Sequence, residues 1–106
     1  MIEHTVTFRL VHPPGSPEEA AFLAAAGGLA AIPGVLDFAI RRQTSAKLDH
    51  SFGISMRFAS REDYASYNGH PLHAGFVRDR WIPEVASFQE ADFEALESGS
   101  RRDAAR

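Results

Sequence analysis

Apolar and polar side chains alternate without a break over residues 2–11, placing Ile2, His4, Val6, Phe8 and Leu10 on one face and Glu3, Thr5, Thr7 and Arg9 on the other. A period of two is the signature of a strand with one covered face. The chain must therefore build a sheet and supply a second layer to bury it. The pattern returns over 35–42, where Leu36, Phe38 and Ile40 oppose Asp37, Ala39 and Arg41. It returns again over 52–58, where Phe52, Ile54, Met56 and Phe58 alternate with Gly53, Ser55 and Arg57. A last strand is predicted over 85–93, with poorer alternation, and the polar run 43–49 reads as a loop.

The segments between these strands carry helix signals. Pro13-Pro14-Gly15 ends the first strand, and Ser16-Pro17-Glu18-Glu19 then offers an N-cap serine, a proline at the first helical position and a capping-box glutamate. The helix runs to about Ala31 on alanine propensity, although Gly27 and Gly28 each cost about 1 kcal/mol relative to alanine, a cost that close packing against a neighbour would explain. Ile32-Pro33-Gly34 stops it. Ser60, three residues before Asp63, caps a second helix that carries Tyr64 and Tyr67 one turn apart. His70-Pro71 interrupts that helix, because the residue before a proline leaves the helical region. A new segment follows to about Arg80 and is expected to end at Trp81-Ile82-Pro83.

The order βαββαβ, with right-handed crossovers, predicts an α+β ferredoxin-like sandwich: one antiparallel sheet with both helices on one face. The other face stays bare, and Val11, Val35, Ala39 and Ala86 or Ala91 give it a mixed surface. A homodimer in which two sheets face each other is the expected remedy. One domain over 1–95 is predicted, followed by a small, charged, aperiodic tail over 96–106.

Composition narrows the function. There is no cysteine, which removes disulfides, thiolate metal sites and a cysteine nucleophile. The net charge of −3 comes with scattered rather than massed basic residues, so no nucleic-acid footprint is present. The alanine-rich stretch over 20–32 is too short to span a bilayer, and Met1-Ile2-Glu3-His4 does not open a secretory signal. A cytoplasmic location is the expectation. Gly27-Gly28 lies inside a helix and not in a phosphate-binding loop, so no cofactor is expected.

Against this architecture, the opening Met1-Ile2-Glu3-His4-Thr5-Val6-Thr7-Phe8-Arg9, the Ile32-Pro33-Gly34-Val35 turn, the segment Tyr67-Asn68-Gly69-His70-Pro71-Leu72-His73 and the closing Asp92-Phe93 resemble the stress-responsive dimeric α/β-barrel family. The resemblance covers about residues 1–95 and implies a dimer whose sheets form a barrel, with a pocket in each subunit between helices and sheet. Members of that family include plant stress proteins, bacterial proteins and a plant polyketide cyclase that makes olivetolic acid. The cyclase's two catalytic histidines and supporting tyrosine align with His4, His73 and Tyr67. A second pocket tyrosine of the cyclase falls near Ala25, which argues for a different ligand here.

The candidate catalytic residues are accordingly His73, His4 and Tyr67. His4 shares the covered face with Val6 and Phe8, so desolvation favours its neutral form. His73, in the first turn after Pro71, meets a helix dipole that disfavours the imidazolium and leaves it a candidate general base. Tyr67 can donate to a substrate carbonyl or enolate. Phe8, Phe76, Trp81 and Tyr64 are the candidate substrate-binding residues, for a small apolar or aromatic molecule. The chemistry this supports is cofactor-free enolisation, aldol or isomerisation. The competing reading is a non-catalytic stress or ligand-binding protein in which His4 pairs with Tyr67 in the interior and His70 caps a helix. A cofactor-independent monooxygenase rests on fold analogy alone. A metal site would have to draw on His70 and His73 with His4, His12 and His50, and no pattern of the His-Glu-x-x-His kind supports it. The remaining aromatics, Phe38, Phe52, Phe58 and Phe88, are expected to serve mainly as core.

Overall fold

In the computed structural model, which describes residues 1–96, β1 (Ile2–Leu10), β2 (Leu36–Arg42), β3 (Phe52–Phe58) and β4 (Val85–Glu94) form one antiparallel sheet in the order β2-β3-β1-β4. Between them lie α1 (Pro17–Gly27), α2 (Arg61–Asn68) and α3 (Pro71–Phe76). This is the predicted ferredoxin-like order. The expected tail lies, apart from Leu96, outside the described residues.

The caps form as the sequence requires. The Ser16 hydroxyl accepts from the Glu19 amide, and the Glu19 carboxylate reaches back to the Gly15 amide. Ser60 accepts from the Asp63 amide in the same way. A hydrogen bond from Val35 N–H to the Ile32 carbonyl closes the Pro33-Gly34 turn, with Gly34 at φ 93°, a value that glycine adopts without a Cβ penalty. The loop after β2 folds around Gln43, whose side-chain amide donates to the Leu48 and His50 carbonyls and whose oxygen accepts from the Ser45 amide.

The core lies between the sheet and the helices. Phe8, Phe22, Ala26 and Phe58 are fully buried, joined by Ile32, Met56, Ile54 and Tyr67. Phe8 packs against Phe22, Phe52 and Trp81 with ring centroids 5.7, 5.8 and 5.1 Å away. Each such ring contributes roughly 1.5–3 kcal/mol by leaving water, so this cluster dominates what holds the helices on the sheet.

Four local expectations are corrected. First, the β2 alternation breaks: the register shifts between Leu36 and Ala39, and Asp37 takes φ 50°. Aspartate tolerates that left-handed conformation, and the resulting bulge pairs Leu36 with Arg57 on the open face while Ile40 pairs with Ile54 on the covered one. Second, Val35 turns inward and packs on the core, so it does not belong to the bare face. Third, Gly27 and Gly28 have no close neighbour where a Cβ would project, so packing does not explain them. Fourth, the chain does not leave the helix at Trp81-Ile82-Pro83. It widens into a π turn over Val77–Trp81, in which the Ile82 amide donates to the Val77 carbonyl, and a last turn Ile82–Glu84 leads into β4. Pro83 falls in the first turn of that final piece, where its missing N–H has the least consequence. No described helix is long and apolar enough to cross a membrane.

Candidate active site

The site begins with strand register. His4 on β1 stands opposite Asp92 on β4, and directly opposed residues share a face. The carboxylate therefore meets the imidazole, with Nδ1 2.7 Å from Asp92 Oδ1. A carboxylate only accepts, so the proton sits on Nδ1. From α2 the Tyr64 hydroxyl donates to Asp92 Oδ2 at 2.9 Å, and its oxygen lies 2.8 Å from the same Nδ1. Tyr64 also stacks on Phe58 at 4.9 Å. Burial raises its pKa, and the hydrogen bond to Asp92 and the Asp92 and Glu90 charges add to the rise. His4 itself is 6% exposed, a buried titratable side chain in a mainly apolar core.

Tyr67, one turn further along α2, is buried between the two histidines, its ring centroid 6.4 Å from that of His4 and 4.6 Å from that of His73. Burial, reinforced by the Glu90 charge, pushes its hydroxyl up to about 12, so it stays a proton donor across the physiological range. His73 sits in the first turn of α3. Its Nδ1–H donates to the Asn68 carbonyl at 3.1 Å. Because that carbonyl cannot donate, the lone pair is left on Nε2. Burial lowers the His73 pKa; His4 acts in the same direction, against the Asn68 carbonyl and Glu90.

The two histidines and two tyrosines line one cavity of about 490 Å³ between the helices and the sheet, with Asp92 behind them. Its polar end is formed by His4, Tyr64, Tyr67, Asn68 and His73. Its apolar body comes from Val6, Leu29, Ile54, Met56, Phe76, Val77, Trp81, Ile82 and Phe88, and Glu90 borders it from β4. A volume of this size suits a small organic molecule.

Of the residues singled out in the sequence, His4, Tyr67 and His73 are brought to this one cavity, and Tyr64, Phe76 and Trp81 line it as well. Phe8 does not line it. It shares a face with His4, but four residues along a strand is about 13 Å, and there it is sealed under Phe22, Phe52 and Trp81. The partners of His4 also differ from the expected Tyr67 pairing, being Asp92 and Tyr64. Phe88 is half exposed on the cavity wall and is not core.

The five imidazoles do not gather around a common centre. His70 caps α3 by accepting from the Leu72 amide, His12 meets Glu84 and His50 meets Thr7. Although Asn68 and Asp92 stand in stretches that carry the family resemblance, Asp92, Glu90 and Asn68 were given no site role from the sequence. The signal for the first two was present: Phe88, Glu90, Asp92 and Glu94 alternate on the face that carries His4. Asn68 acts through its backbone, which no side-chain pattern reports.

The geometry defines a class, an α+β ferredoxin-like domain with a histidine- and tyrosine-lined cavity between its two layers. Residues 2–95 match the stress responsive A/B barrel domain, and the chain belongs to that family. It is 51% identical to a Dabb family protein with a ferredoxin-like fold from Mesorhizobium loti, over 90% of this chain and 96% of that one, with a TM-score of 0.89. A dimeric ferredoxin-like protein of unknown function from Thermobifida fusca is 22% identical over 89% and 90% of the two chains, with a TM-score of 0.72. The hydroxynitrile lyase from Passiflora edulis shares the fold at 14% identity, over 92% and 94% of the chains, with a TM-score of 0.76. No curated protein matches the chain.

Proposed function

We propose that the cavity binds a small, mainly apolar carbonyl compound and catalyses cofactor-free proton transfer at the carbon beside the carbonyl. The observation that carries this reading is the fixed tautomer of His73: the Asn68 carbonyl holds Nδ1–H and leaves the Nε2 lone pair as the group able to take a proton. Its lowered pKa keeps that lone pair unprotonated near neutrality.

In the proposed step His73 Nε2 removes the α-proton, and the electron pair of the C–H bond becomes the enolate π bond. The Tyr67 hydroxyl donates to the developing oxyanion, and its raised pKa keeps the proton in place to do so. His4, held by Asp92 and Tyr64, lines the same polar end and supplies a further contact. Returning the proton to another carbon gives isomerisation, and attack of the enolate on a second carbonyl gives aldol-type cyclisation. A lyase on the same fold supports the general class by analogy alone.

Proton exchange tests this without knowledge of the natural substrate. A panel of enolisable aryl ketones in deuterium oxide, followed by NMR, should show faster α-deuteration with the protein. His73→Ala should reduce that rate roughly 10²–10⁴-fold. Background exchange with the unaltered protein across the panel would defeat the proposal in favour of a non-catalytic binding protein, and full exchange with His73→Ala would remove His73 as the base.

Self-association through the open sheet face is part of the same proposal. Leu36 and Phe93 are 42% and 55% exposed at opposite edges of that face, with the opposite charges Arg57 and Glu3 between them in one row and Ala39, Ser55, Thr5 and Ala91 in the next. A neighbour of the same fold is dimeric. Sedimentation of Leu36→Glu should show a shift toward monomer relative to the unaltered chain.

A further inference from the structure

The charge around the cavity is one-sided. Among the described residues, its lining contains no arginine or lysine, and its one carboxylate is Glu90. The acidic residues beside Glu90 on the same face of β4 are engaged: Asp92 by His4 and Tyr64, and Glu94 by Arg61. Glu90 has only a distant partner, His4 Nε2 at 3.9 Å, and its side chain is 56% exposed. Phe88 lies two residues earlier on the same face, edge-on to Trp81 at 5.5 Å. A ligand whose apolar body rests on these rings brings its polar group toward the Glu90 carboxylate.

We infer that Glu90 sets the charge class of the ligand, so that the cavity admits neutral and ammonium-bearing molecules and turns away carboxylates and phosphates. This deepens the proposed function and rests on its reading of the cavity as a small-molecule site. An anion entering here meets a like charge, with no cation in the wall to offset the loss of its hydration. An ammonium group meets an attractive charge and aromatic faces suited to cations. A neutral carbonyl or alcohol incurs neither effect and is left to the donors at the polar end. The substrate class becomes an uncharged or amine-bearing carbonyl compound.

Trp81 is the single tryptophan of the chain and lines the cavity, so its fluorescence reports binding directly. The probes are 2-phenylethylamine, 2-phenylethanol and phenylacetate, which share one aromatic body and differ in charge. With the unaltered chain, the amine and the alcohol should bind about tenfold more tightly than the carboxylate. In Glu90→Gln the gap between alcohol and carboxylate should shrink to roughly threefold or less. Glu94→Gln, outside the lining, should leave the unaltered order in place. Equal binding of all three probes to the unaltered chain, or a gap that survives Glu90→Gln, overturns this inference and leaves the cavity reading standing. If no probe changes Trp81 fluorescence in either chain, the cavity reading falls and the inference with it.

Discussion

The covered face of β1 and its continuation carry two histidines, each set against a carboxylate, and the two pairs serve different ends. His12, just past the strand, has Nε2 2.7 Å from Glu84 Oε1, while Arg80 Nε lies 2.9 Å from Glu84 Oε2. Glu84 is hydrogen-bonded to His12 and ion-paired with Arg80, whose Nε lies close without hydrogen-bond alignment, and the carboxylate is only 15% exposed. The trio joins the end of β1 to the last helical turn, beside a backbone bond from Val11 N–H to the Glu84 carbonyl. At the other end, Asp92 accepts from an imidazole and a phenol, with no arginine paired to it among the described residues, and a cavity lies alongside. The difference lies in compensation and space. A histidine–carboxylate pair closed by a cation becomes a brace, whereas the same pair backed by a hydroxyl leaves its imidazole on the wall of a void, where a ligand can meet it.

This contrast can be broken at either end. The largest effect is expected from His73→Gln, which should cut α-proton exchange roughly 10²–10⁴-fold while leaving the denaturant midpoint near that of the unaltered protein. Tyr67→Phe should lower the rate about 10²-fold by removing one oxyanion donor, with the ring still filling its place. At the brace the sign of the test reverses. Glu84→Gln leaves Arg80 without its counter-charge and should cost about 1–3 kcal/mol of stability in urea melts, with exchange activity retained. A comparable loss of activity from Glu84→Gln would show that the two ends are not independent.

A gentler probe is pH. His73 has a folded pKa below its unfolded value, so the unfolded chain takes up a proton first as the medium is acidified. The contribution of His73 to stability is therefore steady above the unfolded value of about 6.5 and declines as pH falls through that value toward the folded one. The acid limb of the exchange rate should lie below the ordinary imidazole range, and His73→Gln should remove both features. The smallest effect is expected at the exposed Arg61–Glu94 pair, where Glu94→Gln should change stability by no more than about 1 kcal/mol.

How much of this was legible in the residue string depended on what fixed each feature. β1 and β3 were legible because one face is buried along the whole strand, so Val6, Phe8, Ile54 and Met56 impose the period. β2 was half legible: the left-handed Asp37 inserts a bulge that moves Leu36 to the opposite face, and an aspartate within an alternating run does not announce it. The π turn was invisible for a similar reason, since Pro83 signals a break equally well from inside a final helical turn. At the site, His4, Tyr67 and His73 could be named from their types and positions. Phe8 was misassigned because a strand face is longer than a cavity. Asp92 and Glu90 were passed over because exposed carboxylates on an edge strand blur the alternation that would have placed them beside His4.

Those edge carboxylates have one more consequence. Among the described residues β4 ends the sheet, and no strand pairs with its outer side, along which another chain could add one. Charges that point toward the covered layer make such growth unfavourable, because a docking strand would have to bury Glu90, Asp92 and Glu94 against its own side chains. The opposite margin is guarded by its kink at Asp37. Replacing the three acids together with threonine should free the β4 margin to recruit further copies, and the protein should then pass from discrete particles to ribbons that bind amyloid dyes.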